Sequence, residues 1–195
     1  KDGQAKILGY LEDYANFIEG LLTLYEVTGE SSWLEPARIL TDSLLEQFWD
    51  PNESSFCLTG KDHEPLITRV KDFYDNATPA GSSVAVLNLL RLSTLSGKKE
   101  YRDIVAANLG SMAAALIHYP GGFGYLLLSV DYFVGPVKEF VIVGDMRDTR
   151  TGELLNTIFQ GFLPNKVIAF STGKDSAEKN AIPLLEGKTL VAGSP

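Results

Sequence analysis

Two stretches of this chain gather residue types able to do acid/base or hydroxyl-binding chemistry. The first is Glu12-Asp13-Tyr14, followed by Asn16 and Phe17. Asp13 sits between apolar neighbours of a helical pattern, which gives its carboxylate two readings. It could point to the inner end of a helical bundle, or it could be an acid in the first turns of a helix, favoured by the dipole. The second stretch, residues 59–79, reads TGKDHEPLITRVKDFYDNATP and is the densest polar run in the chain. Here Asp62, His63, Glu64, Arg69, Lys71, Asp72, Tyr74 and Asp75 lie close together. Carboxylates beside Arg and His can shift one another's pKa and form an acid/base pair, or can bind sugar hydroxyls through paired hydrogen bonds. Equally, such groups can pin a long loop onto helix ends.

Asp13, His63 and Asp72 are the candidate acids and bases. Tyr14, Phe17 and Tyr74 are the aromatic surfaces on which a sugar ring could stack, with Arg69 and Asp75 as polar binding groups. Asp62-His63-Glu64 lacks the spacing of a helical metal site such as HExxH, and neither a metal nor another cofactor is expected. His118, just before Tyr119-Pro120, reads as a partner for a helix C-terminus. Pro79-Ala80-Gly81-Ser82-Ser83 offers small residues at a helix start without the lysine of a phosphate loop, which points to close helix packing. Val141-Ile142-Val143-Gly144-Asp145 ends a strand without GxGxxG and reads as structural.

The elements that must position these residues are mainly helical. Apolar residues from Ile7 to Tyr25 recur at three- and four-residue steps, predicting a helix over residues 6–28 with Gly29 as its C-cap. A second helix is expected from Ser31 or Ser32 to about Trp49, with Pro36 tolerated in its first turns. Asp50-Pro51-Asn52-Glu53 is a turn, and SSFCLTG and EPLITRV are candidate short strands. Thr78 as N-cap and Pro79 at the first helical position predict a third helix to Ser96 before Gly97. A fourth follows from Lys99 to Ile117 and a fifth from Phe123 to Phe133. Then KEFVIVGD, the segment from Thr151 to Phe162, and NKVIAFS form a strand–helix–strand pattern, implying parallel strands. IPLLEGKTLV is a candidate third strand. The expected organisation is a helical unit over residues 1–135 and a small α/β unit over 136–195.

The first two helical hairpins are related. Leu21, Leu22, Leu24, Gly29 and Trp33 match Leu89, Leu90, Leu92, Gly97 and Tyr101 at a constant offset of 68 residues. Each unit has a Gly-terminated inner helix and an aromatic residue opening the outer one, and such units stack to bury their apolar faces.

Composition narrows the classes. The 195 residues carry a formal charge of −8, which argues against a nucleic-acid surface rich in Lys and Arg. Cys57 is the sole cysteine, so no internal disulfide, CxxC pair or thiolate metal site can form within this sequence. No run approaches the roughly 18 apolar residues of a spanning helix, and the opening residues lack the apolar region of a signal peptide. A cytoplasmic location and no membrane partner are expected. The start without Met and the finish at Gly-Ser-Pro suggest a piece of a longer protein.

LEDYANFIEGLLTLYEVTGE, DHEPLITRVKDFYDNATPAGSS, NLLRL and FLPNKV together resemble the thioredoxin-domain-containing proteins related to spermatogenesis-associated protein 20. The resemblance covers nearly the whole chain. It implies an (α/α)6 toroid similar to six-hairpin glycosidases and N-acylglucosamine 2-epimerase, preceded by a thioredoxin-like domain that this chain lacks. The chain would supply the C-terminal part of the toroid and the α/β unit. The resemblance also places Asp13, Tyr14, Arg69, Asp72, Asp75, Pro79 and Gly81 in recurrent motifs lining a cavity. Three positions depart from the pattern: Ala80 and Ser82 stand where Ser and Asn are usual around Gly81, and Val70 replaces a common Pro.

Two functions fit these residues. One is a carbohydrate-binding or carbohydrate-modifying toroid with glycosidase- or epimerase-like acid/base chemistry. A glycosidase needs two carboxylates about 5–10 Å apart, and an epimerase needs paired bases. The other is a noncatalytic scaffold or interaction module supporting a thioredoxin-like redox domain. An incomplete toroid would leave apolar helix faces open, so association with the missing half or with a second copy is expected.

Overall fold

A computed structural model describes residues 7–64, 67–172 and 182–189. The fold is mainly α. Helix α1 (Leu11–Thr28) turns through a 3-10 segment, Ser31–Trp33, into α2 (Leu34–Phe48). After a minimal hairpin of β1 (Trp49–Asp50) and β2 (Ser55–Phe56) comes the long loop. Helices α3 (Gly81–Ser96), α4 (Lys99–His118) and α5 (Gly124–Val134) follow, then β3 (Lys138–Val143), α6 (Thr149–Gln160) and β4 (Lys166–Ser171).

The two related hairpins are α1/α2 and α3/α4, and their inner helices end alike. Gly29 (φ +70°) and Gly97 (φ +68°) are left-handed C-caps, a conformation that costs glycine little and any residue with a Cβ more. Their N–H groups donate to Tyr25 O and Ser93 O at 2.8 and 2.9 Å.

Helix α3 is the centre of the fold. It packs against α1 on one side and α5 on the other, with α4 behind it, while α2 backs α1. Accordingly Val84, Ala85, Val86, Leu89, Leu90, Leu92 and Leu95 are all buried. Asn88 Nδ2 donates to Ala15 O at 2.8 Å, tying α3 to α1 inside this core. Gly81 makes the closest approach: a Cβ there would lie 2.9 Å from the backbone N and Cα of Glu12. The small residues at the start of α3 therefore serve helix packing, as their sizes suggested.

Strands β3 and β4 pair in parallel from Lys138↔Lys166 to Val143↔Ser171, with α6 as the connection. Tyr25 joins this unit to the helices. Its hydroxyl accepts the Phe170 N–H at 3.0 Å, and the two rings meet edge to face at 5.6 Å.

Several boundaries differ from expectation. Helix α3 begins at Gly81, after an extended Ala80, so Thr78 and Pro79 lie in the loop; the Ala80 N–H is held by Asp75 Oδ1 at 2.9 Å. Ser31 and Ser32 form a 3-10 turn, and α2 proper starts at Leu34. Helix α6 begins at Thr149 because Asp148 caps it, accepting the Arg150 N–H at 2.9 Å. SSFCLTG supplies only Ser55–Phe56 to a strand, paired back to Trp49–Asp50. Residues 67–70 are coil, held by one backbone bond from Leu58 N–H to Val70 O at 2.8 Å. Pro183–Leu185 is a 3-10 turn where a strand was expected. Leu190 and Val191 of that segment, Lys6 at the expected start of the first helix, and Pro65 and Leu66 of the loop lie outside the described residues.

Candidate functional site

Helices α1, α3 and α5 present their N-termini at one end of the fold. Gly81 at the start of α3 abuts the backbone of Glu12 at the start of α1, and Asp75 bridges the starts of α3 and α5. Each helix start leaves backbone N–H groups without intrahelical partners and carries a partial positive charge. Three such ends side by side call for acceptors, and the acids of the chain supply them.

Asp75 is the fullest case. Its Oδ1 accepts the Ala80 N–H, and its Oδ2 accepts the Tyr125 and Leu126 N–H groups at 2.7 and 3.0 Å. Its own N–H donates to Gly122 O at 2.9 Å. Asp72 is exposed; its Oδ1 accepts the Tyr74 N–H at 3.3 Å, and its carbonyl accepts Ser82 Oγ–H at 2.9 Å. The Tyr74 ring is half exposed, lies tilted against Phe123 at 5.1 Å and meets Tyr119 edge-on at 6.3 Å. Asp13 Oδ2 accepts the Tyr10 N–H at 2.8 Å at the start of α1.

Arg69 and His63 fasten the rest of the loop. Arg69 Nη2 donates to Gln47 O at 2.8 Å and also to Thr59 O, so its positive charge meets the carbonyl end of α2. His63 Nε2 lies 3.1 Å from Gly9 O, a hydrogen bond in the tautomer protonated there. Its ring meets Tyr10 edge-on at 5.3 Å. Lys71 bonds Asp50 at 3.0 Å and also Glu53. The Lys71 hydrogen bond, the largest effect on Asp50, outweighs the cost of burial and holds that carboxyl below its usual range. Burial pushes the Cys57 thiol up despite Arg69 and Lys71 nearby.

The candidate residues therefore divide into four places. Asp13, Tyr14 and Phe17 share an open groove of about 650 Å³ with Glu12, Asn16 and Leu40. His63 stands beside the Gly9-Tyr10 approach to that helix. Asp72, Tyr74 and Asp75 lie at the starts of α3 and α5, and Arg69 lies at the end of α2. Tyr14 is partly covered, packing on Phe48 at 5.2 Å, whereas Phe17 is 61% exposed.

One polar group went unnoticed in the sequence. Tyr125 of α5 donates its hydroxyl to Glu19 of α1, and Arg91 of α3 pairs with Glu26 of α1 at 3.1 Å. Burial, reinforced by the bond to Glu19, drives the Tyr125 phenol far above its ordinary value. The available signal was the seven-residue spacing of Glu12, Glu19 and Glu26, which sets three carboxylates along one stripe of α1. Among the described residues no cluster of His, Cys, Asp and Glu has the arrangement of a metal site, and no helix is long and apolar enough to cross a membrane.

The chain as a whole has counterparts among known proteins. Over 170 residues, 87% of this chain, it is 35% identical to spermatogenesis-associated protein 20 of Mus musculus. The chain is a relative of spermatogenesis-associated protein 20. The human protein of that name is 34% identical over the same length, and an uncharacterized protein of Caenorhabditis elegans is 28% identical over 165 residues. The match takes in 22% of each of these relatives, so the chain spans about a fifth of their length. No family model matches the chain. The relationship bears out the resemblance read from the segments of α1, the loop and α3.

Proposed function

We propose that this chain is a noncatalytic helical scaffold, an interaction module within a larger assembly. The observation that carries this reading is the use to which the polar loop is put. Asp75 and Arg69 direct their polar atoms to backbone groups of this same chain at helix ends that need them, while Asp72 bonds the Tyr74 N–H within the loop and His63 bonds the Gly9 carbonyl just before α1. A catalytic acid or base must instead present a group within reach of a substrate proton. By the family resemblance, a thioredoxin-like domain is one partner such a scaffold would support.

Melting temperatures of His63→Gln, Arg69→Met and Asp75→Asn test this. A scaffold role predicts a fall for all three, because each removes a bond that holds the loop. Residues kept for ligand chemistry are commonly neutral or even costly to stability, so unchanged or raised melting temperatures would contradict the scaffold.

A second reading, a carbohydrate-binding surface, is favoured by the α1 groove. There an exposed Phe17 ring stands beside the carboxylates of Glu12 and Asp13 and the amide of Asn16. This combination suits a sugar, with one apolar face and a rim of hydroxyls. Saturable sugar binding abolished by Asp13→Asn would favour it.

A further inference from the structure

The chain holds two methionines, Met112 and Met146, in different settings. Met112, on α4, is 8% exposed and belongs to the apolar core. Met146 follows β3 in a tight turn, where the Asp148 N–H donates to Asp145 O at 2.9 Å and the Arg147 N–H donates to Asp145 Oδ1 at 2.9 Å. Just before it the Gly144 N–H donates to Ser171 O at 2.9 Å, and just after it Asp148 caps α6. The backbone on either side of Met146 is therefore tied down, and its partly buried side chain packs against the core from the rim.

That rim is the seam between the helices and the β3–β4 pair. A Cβ on Gly29, the left-handed end of α1, would lie 3.0 Å from Met146 Sδ and 3.1 Å from Phe170 Cδ1. The sulfur and the ring thus close on the same side of Gly29, next to the Tyr25 ring that meets Phe170 edge to face. A thioether suits such a place, being apolar and at ease beside aromatic rings. The seam has no donor to spare there: the Gly29 N–H donates to Tyr25 O at 2.8 Å, and the Phe170 N–H donates to the Tyr25 hydroxyl at 3.0 Å. On its other side Met146 lines an open cleft of about 510 Å³ with Thr28, Ser31, Asp145 and Thr172, so water and small oxidants can reach it.

We propose that Met146 is a reversible oxidation site whose sulfoxide loosens this seam. The sulfur takes one oxygen from hydrogen peroxide: an S–O bond forms, the O–O bond breaks, the thioether is oxidised and the peroxide is reduced to water. The product is polar where the thioether was apolar. An oxygen turned toward Gly29 and Phe170 is a strong acceptor without a donor, which costs free energy. An oxygen turned to the cleft finds water and draws the sulfur away from Gly29. In both cases the turn after β3 parts from the end of α1. Met112, enclosed by the core, is the slower site. This inference goes beyond the scaffold reading and does not depend on it, because it concerns how firmly the β3–β4 pair sits on the helices.

The test treats the 195-residue chain with dilute hydrogen peroxide and follows it by peptide mass spectrometry, circular dichroism melts and amide hydrogen exchange. The expected result is one added oxygen on Met146, gained several-fold faster than on Met112, with a fall in melting temperature of about 3 °C or more. Exchange should quicken at the Gly29 and Gly144 amides on the two sides of the seam and stay unchanged in α4. Met146→Leu keeps an apolar side chain of similar size without the sulfur, so it should lose the peroxide-induced fall. Met146→Gln places a polar group where the sulfoxide would be and should melt low without any peroxide. Methionine sulfoxide reductases of the A and B types, which act on the two sulfoxide epimers, should restore the melting temperature of the oxidised chain. Equal oxidation rates at the two methionines, an unchanged melting temperature once Met146 is oxidised, or a peroxide-induced fall retained in Met146→Leu would each overturn the proposal. So would Met146→Gln melting together with Met146→Leu, or a fall that the reductases leave in place.

Discussion

Asp75 and Tyr125 are 50 residues apart in the chain, yet the carboxylate of one accepts the backbone N–H of the other at 2.7 Å, in the first turn of α5. Through its other oxygen Asp75 holds Ala80 at the threshold of α3. One loop side chain thus sets the spacing of two helix starts.

Replacing Asp75 with Ala leaves three amides without their acceptor. Loss of charge-assisted hydrogen bonds at a partly buried site predicts a stability loss of about 2–3 kcal/mol, or roughly 5–10 °C in melting temperature for a chain of this size. Thermal denaturation followed by circular dichroism checks this, and a change under about 1 °C would show that the loop does not pin the helices.

Gly81 and Gly20 should respond to alanine with opposite signs. At Gly81 the new Cβ meets the Glu12 backbone at 2.9 Å, and backbone cannot swing aside as a side-chain tip can. The expected cost is about 1–3 kcal/mol. At Gly20, inside α1 with nothing within 4 Å of the added Cβ, Ala should stabilise by about 0.5–1 kcal/mol through helix propensity. Denaturant midpoints of the two variants decide the matter.

Stability should fall as pH rises above 10, the ordinary tyrosine pKa from which these phenols depart. Burial, the largest effect, pushes the Tyr132 phenol up to about 12 despite its bond to Thr94, and it raises Tyr101 and Tyr125 as well. Between these values the unfolded chain ionises while the folded chain stays protonated, so the unfolded state binds fewer protons and is stabilised relative to the folded one with each step in pH. Tyr132→Phe should flatten this alkaline decline, measured as melting temperature against pH. An unchanged decline would contradict the assignment.

The acid side has its own marker. Lys71 keeps the folded Asp50 pKa below 3.8, so the contribution of this pair is present above that value and is lost as pH falls through the lower folded one. Lys71→Met should remove that part of the acid limb, visible as a smaller difference in melting temperature between neutral and strongly acidic solution.

How much of this was readable beforehand depended on the range of the interaction. Helix periodicity, the Gly29 and Gly97 ends and the 68-residue repeat are local or self-similar signals, and the helices and the parallel β3/β4 pair follow them. The start of α3 was misplaced because Thr78-Pro79 is a good local signal overridden by another nearby group outside the capping pattern: Asp75, five positions upstream, fixes the extended Ala80. The crowding of acids around residues 59–79 was visible, and pinning of helix ends was one of its two readings. What the residues could not show is that three parallel helix starts converge there, since this depends on the packing of α1, α3 and α5. The Glu19–Tyr125 bond, across 106 positions, was invisible for the same reason.

The most direct measurement for the scaffold is a calorimetric titration of the folded chain with mono- and disaccharides, run in parallel on Asp13→Asn and Asp72→Asn. The scaffold predicts no saturable heat from any of the three proteins. Saturable binding by the wild-type chain, abolished in Asp13→Asn at an unchanged melting temperature, would contradict it and make the α1 groove a sugar site.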